Sequence, residues 1–136
     1  MSLNQVFLSG RIDRRPRVVL RDNGEKAYSF IMAVRNGKNG LIYPALICPD
    51  RLPPFAVNWD GDGGLRSQPV ITVSGTLNTR NYFEDRDFLT RRMRKAGLPP
   101  EVIARIVDLL PEDFRMPRVA VEILVQPDQI VPGGPW

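Results

Sequence analysis

Residues 70–82 read V-I-T-V-S-G-T-L-N-T-R-N-Y. Ile71, Val73, Gly75 and Leu77 fall on one side of an extended chain. Thr72, Ser74, Thr76 and Asn78 fall on the other. This two-residue period with β-branched side chains predicts a half-buried strand over residues 70–80. Gly75 costs stability in mid-strand and predicts a bulge, a sharp bend or a close approach of another backbone. The strand runs out into Arg80 and Tyr82, a cation and a ring at its mouth.

The same period recurs along the chain. In residues 3–12, Val6, Leu8, Gly10 and Ile12 oppose Phe7, Ser9 and Arg11. Asp13-Arg14-Arg15-Pro16 interrupts this strand, and residues 17–21 resume it. Asp22-Asn23-Gly24 predicts a hairpin turn, because Asn-Gly readily takes positive φ. The returning strand, residues 26–35, is apolar on both faces and is expected to be central. A turn over residues 36–40 leads to a third strand, residues 41–48, which carries Tyr43. Residues 49–69 are rich in Pro, Gly and Asp and lack periodicity, which predicts a long loop with the composition of a mobile one.

Beyond residue 83 the period becomes helical. Phe88, Leu89, Met93 and Ala96 mark a first helix that Gly97 stops. Pro99-Pro100-Glu101 opens a second, with Val102, Ile103, Ile106, Val107 and Leu110 as its stripe and Pro111 at its end. The short link between them predicts two antiparallel helices. Residues 117–126 form the fifth strand, with Val119, Val121, Ile123 and Val125 facing one way. Residues 128–131 extend it, and residues 132–136 read as a flexible end. The expected fold is mainly β: a single domain over residues 1–136, built as a five-stranded OB-fold (oligonucleotide/oligosaccharide-binding) barrel. A helical hairpin, residues 84–115, is inserted between the fourth and fifth strands.

Charge then narrows the function. The 136-residue chain has a net charge of +4. Residues 83–116 hold seven basic and seven acidic residues, so the whole excess lies in the β portion. A basic β domain favours an acidic partner such as nucleic acid. Histidine is absent, which removes Ser-His-Asp and Cys-His catalysis and histidine metal sites. Asp60, Asp62 and Lys38 are the only inexpensive catalytic candidates, and none has a partner at useful spacing. No Walker loop, dinucleotide fingerprint or nucleophile elbow is present, so an enzyme is not expected and no cofactor is called for. Asn58-Trp59-Asp60-Gly61-Asp62-Gly63 resembles half a calcium loop, but Pro69 stands where the twelfth-position acid belongs, so no metal is expected. The single cysteine, Cys48, has no internal partner and apolar neighbours, which suits a buried thiol in a reducing compartment. With no signal-peptide layout and no apolar run near the ~18 residues of a membrane span, a cytoplasmic protein without membrane contact is expected.

Two segments also resemble the bacterial single-stranded DNA-binding protein family, which includes a related primosomal protein. In the first, Asn4, Val6, Leu8, Gly10, Ile12 and Pro16 match that family's opening strand. In the second, Val73, Gly75, Leu77, Thr79, Arg80 and Tyr82 match its fourth. Tyr43 lands where the family often has a base-stacking aromatic. Two departures stand out. The family's usual helix between its third and fourth strands is replaced here by the Pro/Gly/Asp loop. Its long acidic, aromatic-tipped tail is replaced by P-G-G-P-W, which bears on recruitment of enzymes and not on strand binding.

The resemblance implies single-stranded DNA binding in replication, recombination or repair, by a homodimer or homotetramer. RNA, and replication or repair proteins, stay open as partners. The candidate contacts are cations for phosphates, Arg11, Arg35, Lys38, Arg51 and Arg80, and rings for bases, Tyr43, Trp59 and Tyr82. Arg91, Arg92, Arg94 and Lys95 cluster on the first helix and read foremost as a solvated face, with an extension of the DNA path or a partner contact as the alternatives. The alternative reading is a protein-interaction module, primosome-like or a mobile-element accessory factor, that docks partners through the helical hairpin.

Overall fold

The computed structural model describes residues 3–21, 23–38, 40–61 and 64–136. Asp22 of the first turn, Asn39 of the second, Asp62 and Gly63 of the acidic loop, and Met1 and Ser2 lie outside the described residues. The chain folds as two compact units, Met1–Asn78 with Val121–Trp136, and Thr79–Ala120.

In chain order the strands are β1 (Val6–Leu20), β2 (Lys26–Asn36), β3 (Gly40–Ile42), β4 (Ala45–Pro49), β5 (Ile71–Asp85), β6 (Arg115–Leu124) and β7 (Ile130–Pro132). Helices α1 (Arg86–Lys95) and α2 (Pro100–Asp108) follow β5 and precede β6 in the sequence. Strand pairing runs β1-β2-β4-β6-β5 and returns from β5 to β1, so five strands close a ring. The pairings are antiparallel for β1–β2, β2–β4 and β1–β5, and parallel for β4–β6.

The apolar alternation explains the core. Ile12, Met32, Leu46, Ile71, Val73 and Val125 are fully buried and pack together with Phe30, Val34, Cys48 and Ile123. Gly75 faces this packing: a Cβ there would stand 2.6 Å from the Leu124 carbonyl oxygen. The close backbone approach expected of this glycine is therefore present. Gly10 serves the same purpose on β1, where a Cβ would run into the Ala33 carbonyl oxygen. Asn4 ends the β1–β5 pairing by imitating a backbone. Its Nδ2 donates to the Leu77 carbonyl at 3.0 Å, and its Oδ1 accepts from the Leu77 N–H at 2.9 Å.

Four expectations are altered. The interruption at residues 13–16 does not end the strand; it is a bulge within β1. Four steps along β1, Asp13 to Arg17, answer two along β2, Ile31 to Ser29, and Arg14 takes φ 65°. The third strand is divided into β3 and β4, yet both pair with β2 in one register, Val34↔Ile42 and Ile31↔Ala45. The break falls at Tyr43-Pro44, because proline has no N–H to donate; its carbonyl still accepts from Met32 N at 3.2 Å. Residues 130–132 do not extend β6 but pair antiparallel with β5 as β7.

The loop over residues 49–69 is the fourth. It is tied down by two 3-10 turns, Pro54–Ala56 and Leu65–Ser67, by Ala56 and Val57 in the core, and by paired bonds between Asn58 and Gln68 at 2.9 and 3.1 Å.

In the Thr79–Ala120 unit, Asp85 caps α1 by accepting from Phe88 N at 2.8 Å, and α2 buries Ile103. Gly97, at φ 87°, takes the left-handed turn that follows α1.

Candidate nucleic-acid interface

Arg11 on β1 lies opposite Ala33 on β2, and residues directly opposite in an antiparallel pair point to the same side. Arg35, two residues on from Ala33, points to that side as well. Both guanidinium groups therefore rise from one face of the sheet, while Ile12, Met32 and Val34 fill the core from the other. Arg11 is held there by its Nη1, which donates to the carbonyls of Arg66 at 3.0 Å and Leu65 at 3.4 Å.

Between these cations the chain places its own indole. The Trp136 ring lies 4.9 Å from the Arg11 guanidinium carbon and 5.1 Å from that of Arg35, both within cation–π range. Residues 132–136, expected to be flexible, are instead fastened to the fold. Gly133 N donates to the Val70 carbonyl at 2.8 Å, and its carbonyl accepts from Thr72 Oγ1 at 2.8 Å. Gly133 at φ 85° and Gly134 at φ 125° turn the backbone as only glycine does readily. A Cβ at Gly134 would strike the hydroxyls of Thr72 and Ser9.

Tyr43 joins the same face. The shared register of β3 and β4 puts it across from Ala33, and it is 55% exposed. Lys38 is exposed in the turn after β2. Of the eight predicted contacts, the structure thus brings Arg11, Arg35 and Tyr43 onto one side of the sheet.

The others lie elsewhere. Arg51 follows Pro49, which pairs with Ala27, so it lies at the opposite end of β2 from Arg35, roughly 26 Å along the strand. Trp59, 42% exposed, stacks with Arg15, whose guanidinium carbon is 5.2 Å from the ring. Arg80 and Tyr82 belong to the Thr79–Ala120 unit, where the guanidinium lies 5.5 Å from the Tyr82 ring. Tyr82 in turn tilts against Phe88 with centroids 6.4 Å apart. Of the helix cations, Arg92 is engaged: it lies 3.5 Å from Glu84, a carboxylate only 3% exposed that Arg118 also approaches, at 3.4 Å.

Sequence reasoning missed Trp136, Arg14 and Arg15. A tryptophan after Gly-Gly-Pro is the only local sign of the first. The Asp-Arg-Arg-Pro interruption of an alternating strand marked the other two. Cys48 is fully buried. Burial, followed by the charge of Asp50, pushes its thiol up to about 11, and its Sγ donates to the Arg51 carbonyl at 3.3 Å. Among the described residues, no three acidic or cysteine side chains gather where a metal could be held, and no helix is long and apolar enough to cross a membrane.

No family model matches this chain, and no curated protein matches it in sequence. The solved structures similar to it include the following two. The dimeric N-terminal domain of the PriB protein from Thermoanaerobacter tencongensis is 16% identical, with a TM-score of 0.50 over 97% of this chain and 98% of that one. The Plasmodium falciparum SSB complex with ssDNA is 17% identical, with a TM-score of 0.48 over 96% of this chain and 93% of that one. The resemblance read from residues 4–16 and 73–82 is therefore met at the level of fold: a mainly β chain, closed by a ring of strands, that shares its architecture with the PriB domain.

Proposed function

We propose that this protein binds single-stranded nucleic acid, DNA foremost, without catalysing a reaction. One observation carries the reading: Arg11, Trp136 and Arg35 meet on the face of the sheet that also bears Tyr43. Phosphates need cations, and flexible single strands offer unstacked bases to flat rings. Each stacked base contributes on the order of 1–3 kcal/mol. The cation–π contacts hold both guanidinium groups in place before the strand arrives, which lowers the ordering cost of binding. The net charge of +4 supports the same partner.

The likeness to a PriB domain described as dimeric supports a homodimer. The outward-facing Phe7 and Val131, exposed on β1 and β7, supply apolar surface for it. Service in replication or repair, in the cytoplasm, follows from this reading. The test is fluorescence titration with oligo-dT at low and raised salt: saturable quenching that weakens with salt supports it, and no binding at low salt refutes it.

A second reading has its own observation. Val102, Ile106 and Leu109, at helical spacing in and just after α2, are exposed, Leu109 to 85%. This stripe suits a protein partner. Leu109→Glu tests it, since loss of a partner with unchanged DNA affinity would separate the two roles.

A further inference from the structure

The β1 bulge and the loop that carries Trp59 enclose a pocket that none of the preceding assignments uses. It is lined by Arg14, Arg15, Val57, Asn58, Trp59 and Gln68, with Gly61 at its edge, and has a volume of about 90 Å³. About 10–15 Å³ of such space holds one water, so the pocket admits a tetrahedral oxyanion with part of its hydration. It falls well short of the ~300 Å³ at which small-molecule sites begin.

Three independent features of the lining point to an anion. First, the pocket is cationic. Among the described lining residues, Arg14 and Arg15 are the charged ones, and Asp60, next to Trp59, is not one of them. Second, its amides are fixed in place by their own bonds and can still donate. Asn58 Oδ1 accepts from Asp60 N, and Gln68 Oε1 accepts from Asn58 N, while Asn58 Nδ2 and Gln68 Nε2 each make one bond to a backbone carbonyl. An NH₂ group has two hydrogens, so among the described residues each amide has a second hydrogen to donate. Third, the backbone is held in an unfavourable conformation. Arg14 is one of two described non-glycine residues at positive φ, at 65°. Strain of this kind, and bulges that re-aim side chains, gather at binding sites.

We propose that this pocket binds a phosphate group, with Arg14 and Arg15 as its charged donors and the Trp59 ring steadying Arg15. The phosphate is either a terminal monoester or a phosphodiester of a bound strand. The second source rests on the single-stranded nucleic-acid reading above; the first does not.

The experiment has two arms. In the first, thymidine 5′-monophosphate and thymidine are titrated into the protein by calorimetry, with ³¹P NMR for the nucleotide. The nucleotide is expected to bind at least tenfold more tightly than the nucleoside. Arg14→Gly and Arg15→Gln should each weaken the nucleotide at least fivefold, and Arg15→Lys should recover part of the loss. Because glycine accepts positive φ without strain, Arg14→Gly should keep or raise the Tm, which separates lost binding from lost folding. Equal binding of nucleotide and nucleoside, or wild-type affinity in Arg14→Gly, overturns the pocket.

In the second arm, a 5′-hydroxyl oligo-dT is titrated across salt concentrations. If an internal phosphodiester occupies the pocket, Arg14→Gly should lower the magnitude of the log K against log salt slope by about 0.7, one contact's worth for a single strand. An unchanged slope beside a positive first arm assigns the pocket to terminal phosphates. Absence of any oligo-dT binding refutes the single-strand reading, while the first arm still decides the pocket.

Discussion

Gly75 on β5 faces the Leu124 carbonyl so closely that a methyl group has no room. A Cβ there would stand 2.6 Å from the oxygen and 2.9 Å from the Cγ2 atoms of Ile123 and Val125. Backbone cannot swing aside as a side chain can. Gly75→Ala is expected to lose about 1–3 kcal/mol of stability by overpacking, read as a lower denaturant midpoint. An unchanged midpoint would mean that β5 and β6 do not close the ring as described.

Glu84 makes a similar demand in electrostatic form. It is buried, and its two oxygens face Arg92 and Arg118 at 3.5 and 3.4 Å. Glu84→Gln keeps the shape and removes the charge, and should cost about 1–3 kcal/mol. Arg92→Gln should cost less than about 1 kcal/mol, since the Arg92 side chain is 67% exposed and Arg118 remains. Equal losses from the two variants would contradict this division.

The Cys48 thiol gives a pH dependence with a definite sign. Its pKa is raised from 9.0 to about 11. Between those values the unfolded chain releases the proton while the folded chain keeps it, so stability is intact below about 9 and falls as pH rises toward about 11. Cys48→Ala should flatten that part of a stability–pH curve. In the native protein the thiol should resist alkylation at pH 8 and react promptly only in denaturant.

The alternating strands were legible because burial on one face imposes a period of two, and Gly75 and Gly10 were legible as interruptions of it. The Asp-Arg-Arg-Pro break was also visible, but not its outcome. Whether a strand ends or bulges depends on its partner, and β2 continues past the irregularity to pair again at Ser29. Pro44 divided a strand without shifting its register, an effect of one missing donor that periodicity does not register.

The candidate site was legible only in part, for the same reason. Arg11, Arg35 and Tyr43 lie on predicted strands, so alternation fixes their side. Trp136 has no period around it. Its place beside Arg11 is a contact across 125 residues, set by the two positive-φ glycines and by β7, a three-residue strand too short to announce itself. Trp59 was found as a ring but not with its partner, because Arg15 reaches it from a bulge.

The most direct test is the salt dependence of oligo-dT binding in wild type, Arg35→Gln and the Arg11→Gln/Arg35→Gln double variant. Arg35 is exposed, so its removal should leave folding intact, as thermal unfolding will show. The expected result is saturable binding at 50 mM salt that weakens steeply by 200 mM. The log–log slope should be smaller in magnitude by about 0.7 in the single variant and roughly 1.4 in the double. No binding by wild type at 50 mM salt, or identical slopes in all three proteins, would contradict a strand held at Arg11, Trp136 and Arg35.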